Sequence, residues 1–129
     1  MSDLHVIEAD IQPMFSADAI RHGDLLFVSG CVPLDTEGNL VGKGDLAAQM
    51  RKTLENLGTV LAAAGCSFED VIKTGVFITD IKKKPLTYDV RREFFGDRPP
   101  ASTMVEVSSL DGEGVEIEID AIAAIPGSG

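Results

Sequence analysis

The 129-residue chain contains no tryptophan, one tyrosine, two cysteines and two histidines. Each scarcity removes a class of chemistry. Cys31 and Cys66 have no further Cys or His at zinc-ligand spacing, so neither a structural zinc site nor a disulfide framework is expected. They read as free thiols in a reducing compartment. His5 and His22 have no nucleophile placed beside them, which leaves Ser-His-Asp and Cys-His catalysis without a base. His22 adjoins Gly23 and reads as a turn residue. Basic residues are also short: 11 Lys and Arg stand against 21 Asp and Glu, a net charge of −10. Nucleic-acid phosphates and anionic membranes are held mainly by Lys and Arg, so neither is expected as a partner. The one dense basic run, Lys82-Lys83-Lys84, lies among acidic segments and reads as a solvated helix start. No apolar run is long enough to span a bilayer. The opening MSDLHVIEAD carries acids where a secretory leader would carry bases and then an apolar stretch. A cytosolic protein is the expectation.

What remains is the balance of an ordinary globular protein, 44% hydrophobic and 25% charged. The length fits one domain, taken as residues 1–125, with a flexible tail over 126–129. Strands are expected at 4–8, at about 16–21, and at Leu25–Ser29 after the turn His22-Gly23-Asp24. Asp35 to Asn39 reads as a second turn. Leu46, Met50, Leu54, Leu57 and Leu61 recur every three or four residues and predict a helix over 45–64, closed by Gly65. Ser67 to Asp70 has the form of a capping box. Val71–Ile78 is rich in β-branched residues and predicts a strand. Thr79 or Asp80 caps a second helix that tolerates Pro85 in its first turn and stops at Gly96. Two strands, about 101–108 and 115–125, finish the chain. The order βββ-α-β-α-ββ predicts an α+β domain: a mixed sheet with two helices on one face.

Counting faces gives a further expectation. Alternate strand residues point to opposite sides. Leu25 and Phe27 then oppose Leu26 and Val28; Ile72, Val76 and Ile78 oppose Phe77; Ile119, Ala121, Ala123 and Ile125 oppose Ile122 and Ala124. Both faces are apolar, yet two helices cover only one. The other is expected to be buried by self-association.

Glu116, Glu118 and Asp120 share one side of the last strand, and that side turns apolar at Ile122 and Ala124. A carboxylate at such a border is partly desolvated, which raises its pKa and fits it for general acid or base work. Ser29-Gly30-Cys31 follows a buried strand, so its backbone is placed to line a pocket, with Gly30 allowing close approach of a ligand. Cys31 has no neighbouring base to activate it as a nucleophile. Gly38 to Lys43 is one residue short of a phosphate loop and lacks its Ser or Thr.

Taken together, these segments resemble the Rid family of reactive-intermediate (enamine/imine) deaminases, also called RidA/YjgF. The matching runs are LLFVSGCVPLD from Leu25, QMRKTLENL from Gln49, Ala63-Ala64-Gly65, DVIKTGVFITD from Asp70, Glu93-Phe94-Phe95-Gly96, Pro100-Ala101, Val105-Glu106-Val107 and EIEIDAIA from Glu116. They cover nearly the whole chain in order. The resemblance implies a chorismate-mutase-like fold with a six-stranded sheet, a homotrimer, small-molecule pockets in the clefts between subunits, and no metal or organic cofactor. Active members hydrolyse 2-imino acids to 2-keto acids and ammonia.

Carried over residue by residue, the resemblance makes Glu118 the carboxylate that handles water, and Ser29 and Gly30 the pocket backbone. Met104 falls on a second backbone position. The pocket Asn falls on Tyr88, and the N-terminal pocket Tyr on Ser16, or on Phe15 with one insertion. Ser102 stands where the family carries the arginine that grips the substrate carboxylate. A neutral hydroxyl cannot form the two parallel charge-assisted bonds of a guanidinium. The expected activity is therefore hydrolysis of an imine or enamine with altered specificity. The alternatives are a non-catalytic trimeric binder or sensor, and a ribonuclease, which the negative charge opposes.

Overall fold

In the computed structural model, residues 4–11 and 15–127 are described. Strands β1 (Leu4–Ile7), β2 (Ala19–His22) and β3 (Leu25–Cys31) are followed by helix α1 (Leu46–Ala63). Strand β4 (Val71–Ile78), helix α2 (Tyr88–Phe95) and strands β5 (Ala101–Glu106) and β6 (Ile117–Ala124) complete the chain. The six strands form one mixed sheet in the order β1-β2-β3-β6-β4-β5. Only β4 and β5 run parallel, because α2 lies in the crossover between them.

Local sequence explains most boundaries. The β2–β3 hairpin closes through Gly23 and Asp24, with Gly23 at φ 61° and Asp24 outside the positive-φ region, the pattern of a II′ turn. Asp45 caps α1, accepting from the Ala48 N–H at 3.1 Å. At its far end Gly65 adopts φ 78°, and the Cys66 N–H turns back to the Leu61 carbonyl at 2.8 Å. The box at Ser67 forms as expected, with Asp70 accepting from the Ser67 N–H at 2.8 Å.

Two expectations need correction. The second helix is not continuous from Asp80. Residues Ile81–Thr87 form a 3-10 segment, and the α-helix begins at Tyr88. Pro85 sits too deep for a first turn, and without an N–H it cannot supply the i−4 bond of an α-helix. Ile72 does not share a face with Val76 and Ile78. A bulge shifts the β4–β6 register between Val71 and Lys73, which leaves Val71 buried and Ile72 48% exposed. The chain end expected as a tail begins with a turn at Pro126 and Gly127, and its last two residues lie outside the described ones.

The core lies between the sheet and α1. Leu46, Met50, Leu54, Leu57 and Leu61 pack on Leu26, Val28, Val76, Ile78, Ile117, Ile119, Ala121 and Ala123. The opposite face is open in the protomer: Leu25 and Phe27 are 38% and 44% exposed there, beside the half-buried Ile122, Ala124 and Phe77.

A second row on α1, Gln49-Thr53-Asn56-Val60, is buried beside the leucine stripe. Two of its members hold loops. The Gln49 amide donates to the carbonyls of Gly42 (3.2 Å) and Gly114 (3.0 Å) and accepts from the Glu116 N–H (2.8 Å). The Asn56 amide donates to the carbonyls of Val32 (2.8 Å) and Leu34 (3.0 Å). Replacing Gln49 by Leu strands three backbone groups, so the unfolding free energy should fall by about 2 kcal/mol or more. Urea denaturation of both proteins measures this.

Candidate functional site

The central strand β6 sends alternate side chains to the two faces. Ile117, Ile119, Ala121 and Ala123 enter the core, while Glu118 and Asp120 face the uncovered side. The three expected carboxylates have different fates. Glu116 pairs with Lys83 at 2.8 Å. Asp120 accepts the Gly75 N–H at 3.0 Å. Glu118 has no hydrogen-bond partner among the described residues. Its pKa is raised, first by burial and then by the negative charges of Asp120 and Asp111.

The neighbouring strand makes room for this carboxylate. The β3–β6 register shifts between Val28 and Cys31, so Ser29 and Gly30 bulge out of the ladder. Glu118 lies directly over Gly30, where a Cβ would stand 2.7 Å from its Cδ. Glycine is required here by this close approach. The Ser29 hydroxyl donates to the Ala17 carbonyl at 2.6 Å, and the Ser29 N–H donates to the Asp18 carbonyl at 3.0 Å. This ties the bulge to the segment before β2. The resulting cavity of about 330 Å³ is lined by Ser16, Ser29, Gly30, Val32, Leu34, Asp111 and Glu118. Of the two candidates for the N-terminal pocket position, Ser16 lines the cavity and Phe15 is fully exposed.

Cys31 contributes no side chain to it. The thiol lies on the core side of β3, 1% exposed, donates to the Ser29 carbonyl at 3.6 Å, and has its pKa pushed up to about 12, chiefly by burial. It is a poor nucleophile in this setting.

Tyr88, Ser102 and Met104 lie elsewhere. Ser102 and Met104 pair with Thr74 and Val76, residues of the helix-covered face. The Thr74 hydroxyl donates to that of Ser102 at 2.9 Å. Glu118 pairs with Phe77 on the other face. Two strand spacings across the sheet, roughly 10 Å, a three-residue offset along it and the sheet itself separate Ser102 from Glu118. Tyr88 is 49% exposed on α2 and lines a second cleft. Within one protomer these residues form two groups, not one site.

The loop anchors Gln49 and Asn56 escape a reading for reactive groups. Asn56 fixes Val32 and Leu34 on the cavity wall, and Gln49 fixes Glu116 two residues before Glu118. Their sequence signal is polar residues at helical spacing beside an apolar stripe.

A family profile described as endoribonuclease L-PSP matches residues 8–125. A RutC family protein of Pyrococcus horikoshii is 42% identical over 107 residues, 83% of this chain and 84% of that one. Human 2-iminobutanoate/2-iminopropanoate deaminase is 32% identical over 98 residues, 76% of this chain and 71% of its own. The crystal structure of a Yersinia pestis protein of unknown function from the Rid family aligns with a TM-score of 0.86 at 34% identity, covering 95% of this chain and 99% of that one.

A raised Glu118 pKa means that the fold favours the protonated carboxyl. The stabilisation it gives is complete below the ordinary glutamate value of about 4.3 and is lost as pH rises through the folded value. Glu118→Gln should therefore raise the melting temperature at pH 7, and the gain should vanish at about pH 4. Thermal melts at both pH values test the sign.

Proposed function

The chain belongs to the Rid/YjgF family, described also as endoribonuclease L-PSP, and from that premise we propose that it hydrolyses the C=N bond of a small imine, or of its enamine tautomer, releasing ammonia. The observation that carries this reading is Glu118: half-buried, raised in pKa, and without a hydrogen-bond partner among the described residues. Its chemistry suits both halves of the reaction. The carboxylate takes a proton from water as the water oxygen bonds to the carbon of the protonated imine, whose C=N electron pair moves onto nitrogen to give an amino alcohol. The carboxyl then passes its proton to the amino nitrogen. As the C–N bond breaks, the hydroxyl proton passes to the carboxylate and on to the departing ammonia, leaving a carbonyl product and ammonium. A pKa lifted toward neutrality serves such a group in both directions. The human relative is named as a deaminase of 2-iminobutanoate and 2-iminopropanoate.

The site on this reading is built between protomers. Glu118, Ser29, Gly30 and Ser16 come from one copy, and Tyr88, Ser102 and Met104 from the next, in a homotrimer. The exposed Leu25 and Phe27 support burial of the open face against other copies. Light scattering at micromolar concentration should give the mass of a trimer; a monomer would remove both the assembly and the shared site.

A second reading, a binder without turnover, draws on Ser102. Its hydroxyl is engaged with Thr74 and offers no charge to a substrate carboxylate. Ammonia release from freshly generated 2-iminopropanoate and a panel of neutral imines separates the two. Hydrolysis by the wild type, falling at least 100-fold in Glu118→Ala, is the outcome expected of a general acid–base group. Equal rates in the two proteins would exclude Glu118, and ligand-induced thermal stabilisation without turnover would favour the binder.

A further inference from the structure

The second cleft, beside α2, has a volume of about 380 Å³, within the range of small-molecule pockets. Tyr88, Arg91, Arg92 and Phe95 follow one another at helical spacing and line it from a single face of α2. Gly96, at φ 70°, ends the helix and swings the chain round so that Asp97 and Pro99 close the far wall.

Its charge runs against that of the molecule. In a chain of net charge −10, this cleft holds two guanidinium groups against one carboxylate. Neither arginine forms an ion pair among the described residues, where Arg51–Glu93 and Lys83–Glu116 are the pairs made. Glu93, the acid beside Arg92 in sequence, is thus already taken. The Arg91 guanidinium lies over the Tyr88 ring, 5.5 Å from its centroid. A cation–π contact at this distance holds the guanidinium beside the ring without using its N–H groups, which can then meet an acceptor. Tyr88, Phe95 and Pro99 provide apolar surface alongside.

We propose that Arg91 and Arg92 form a binding site for a small organic monocarboxylate, with the carboxylate on the guanidinium groups and a planar or apolar body against Tyr88, Phe95 and Pro99. The single surplus positive charge, after Asp97, matches a monoanion better than a phosphate. Where the proposed hydrolysis holds, the carboxylate held here is the substrate's, and these arginines replace the charge that Ser102 does not carry.

The test is calorimetric titration of the full chain with benzoate, benzamide and inorganic phosphate. Benzoate should bind, with benzamide and phosphate at least tenfold weaker. Arg91→Gln and Arg92→Gln should each weaken benzoate about tenfold or more, the loss of a charge-assisted bond. Arg91→Lys should restore only part, since an ammonium keeps the charge without the planar fork. Circular dichroism melts confirm that the variants fold. Benzoate binding that is absent, equal in the arginine variants, or matched by benzamide or phosphate overturns the proposal. Failure of ammonia release alone would sink the hydrolysis and leave this titration to decide the site.

Discussion

A strand at the centre of a sheet supplies both faces from one run of residues, and β6 does so under opposite demands. Ile117, Ile119, Ala121 and Ala123 must be apolar, because α1 seals them from water. The residues between them project to the uncovered side, where Glu118 and Asp120 sit near Ile122 and Ala124. The strict period of two fixes this division, and a slip of one residue would drive two carboxylates into the core. Every other feature of the site is arranged around that fixed position. The bulge at Ser29 and Gly30 clears space above Glu118, and the α1 amides pin the loops on either side of it.

A partly desolvated carboxylate without a partner is a liability to the fold and an asset to chemistry. Its neighbours show the alternative: Glu116 is neutralised by Lys83, and Asp120 is held by a backbone N–H. Glu118 receives neither, and two nearby acids add repulsion. The buried core between the sheet and the helices lies directly below and offsets that cost. The same sheet that supports Glu118 keeps it from Ser102 and Met104, which project to the other face. A site that joins them requires a second copy.

The two groups of residues also divide the electrostatics. The Glu118 cavity is lined by Asp111 and, among the described residues, by no Lys, Arg or His, whereas the α2 cleft contains Arg91 and Arg92. The first suits a neutral or cationic reacting centre and repels a carboxylate. The second suits a carboxylate. In the proposed assembly, a ligand carrying both would find complementary surfaces on the two sides of a subunit boundary.

The apolar alternation in β3 and β6, the leucine stripe of α1, the caps at Gly65 and Ser67 and the shared side of Glu116, Glu118 and Asp120 were all readable from the chain, because each depends on spacing within one element. The resemblance of the ordered motifs pointed to the family and to Glu118. The face of Ile72 was not readable, since a bulge is set by how two strands meet. Nor was the break of the second helix at Pro85, where a continuous helix and a 3-10 lead-in share one apolar pattern. Gln49 and Asn56 lay in plain view, but their partners are backbone carbonyls and an N–H up to 67 residues away. The sequence by itself determined which residues are apolar, which are charged and which face a strand residue takes wherever no bulge breaks the alternation. Only the tertiary structure decided which of three carboxylates stays without a partner and which candidates stand on opposite sides of the sheet, because those depend on contacts between segments distant in the chain.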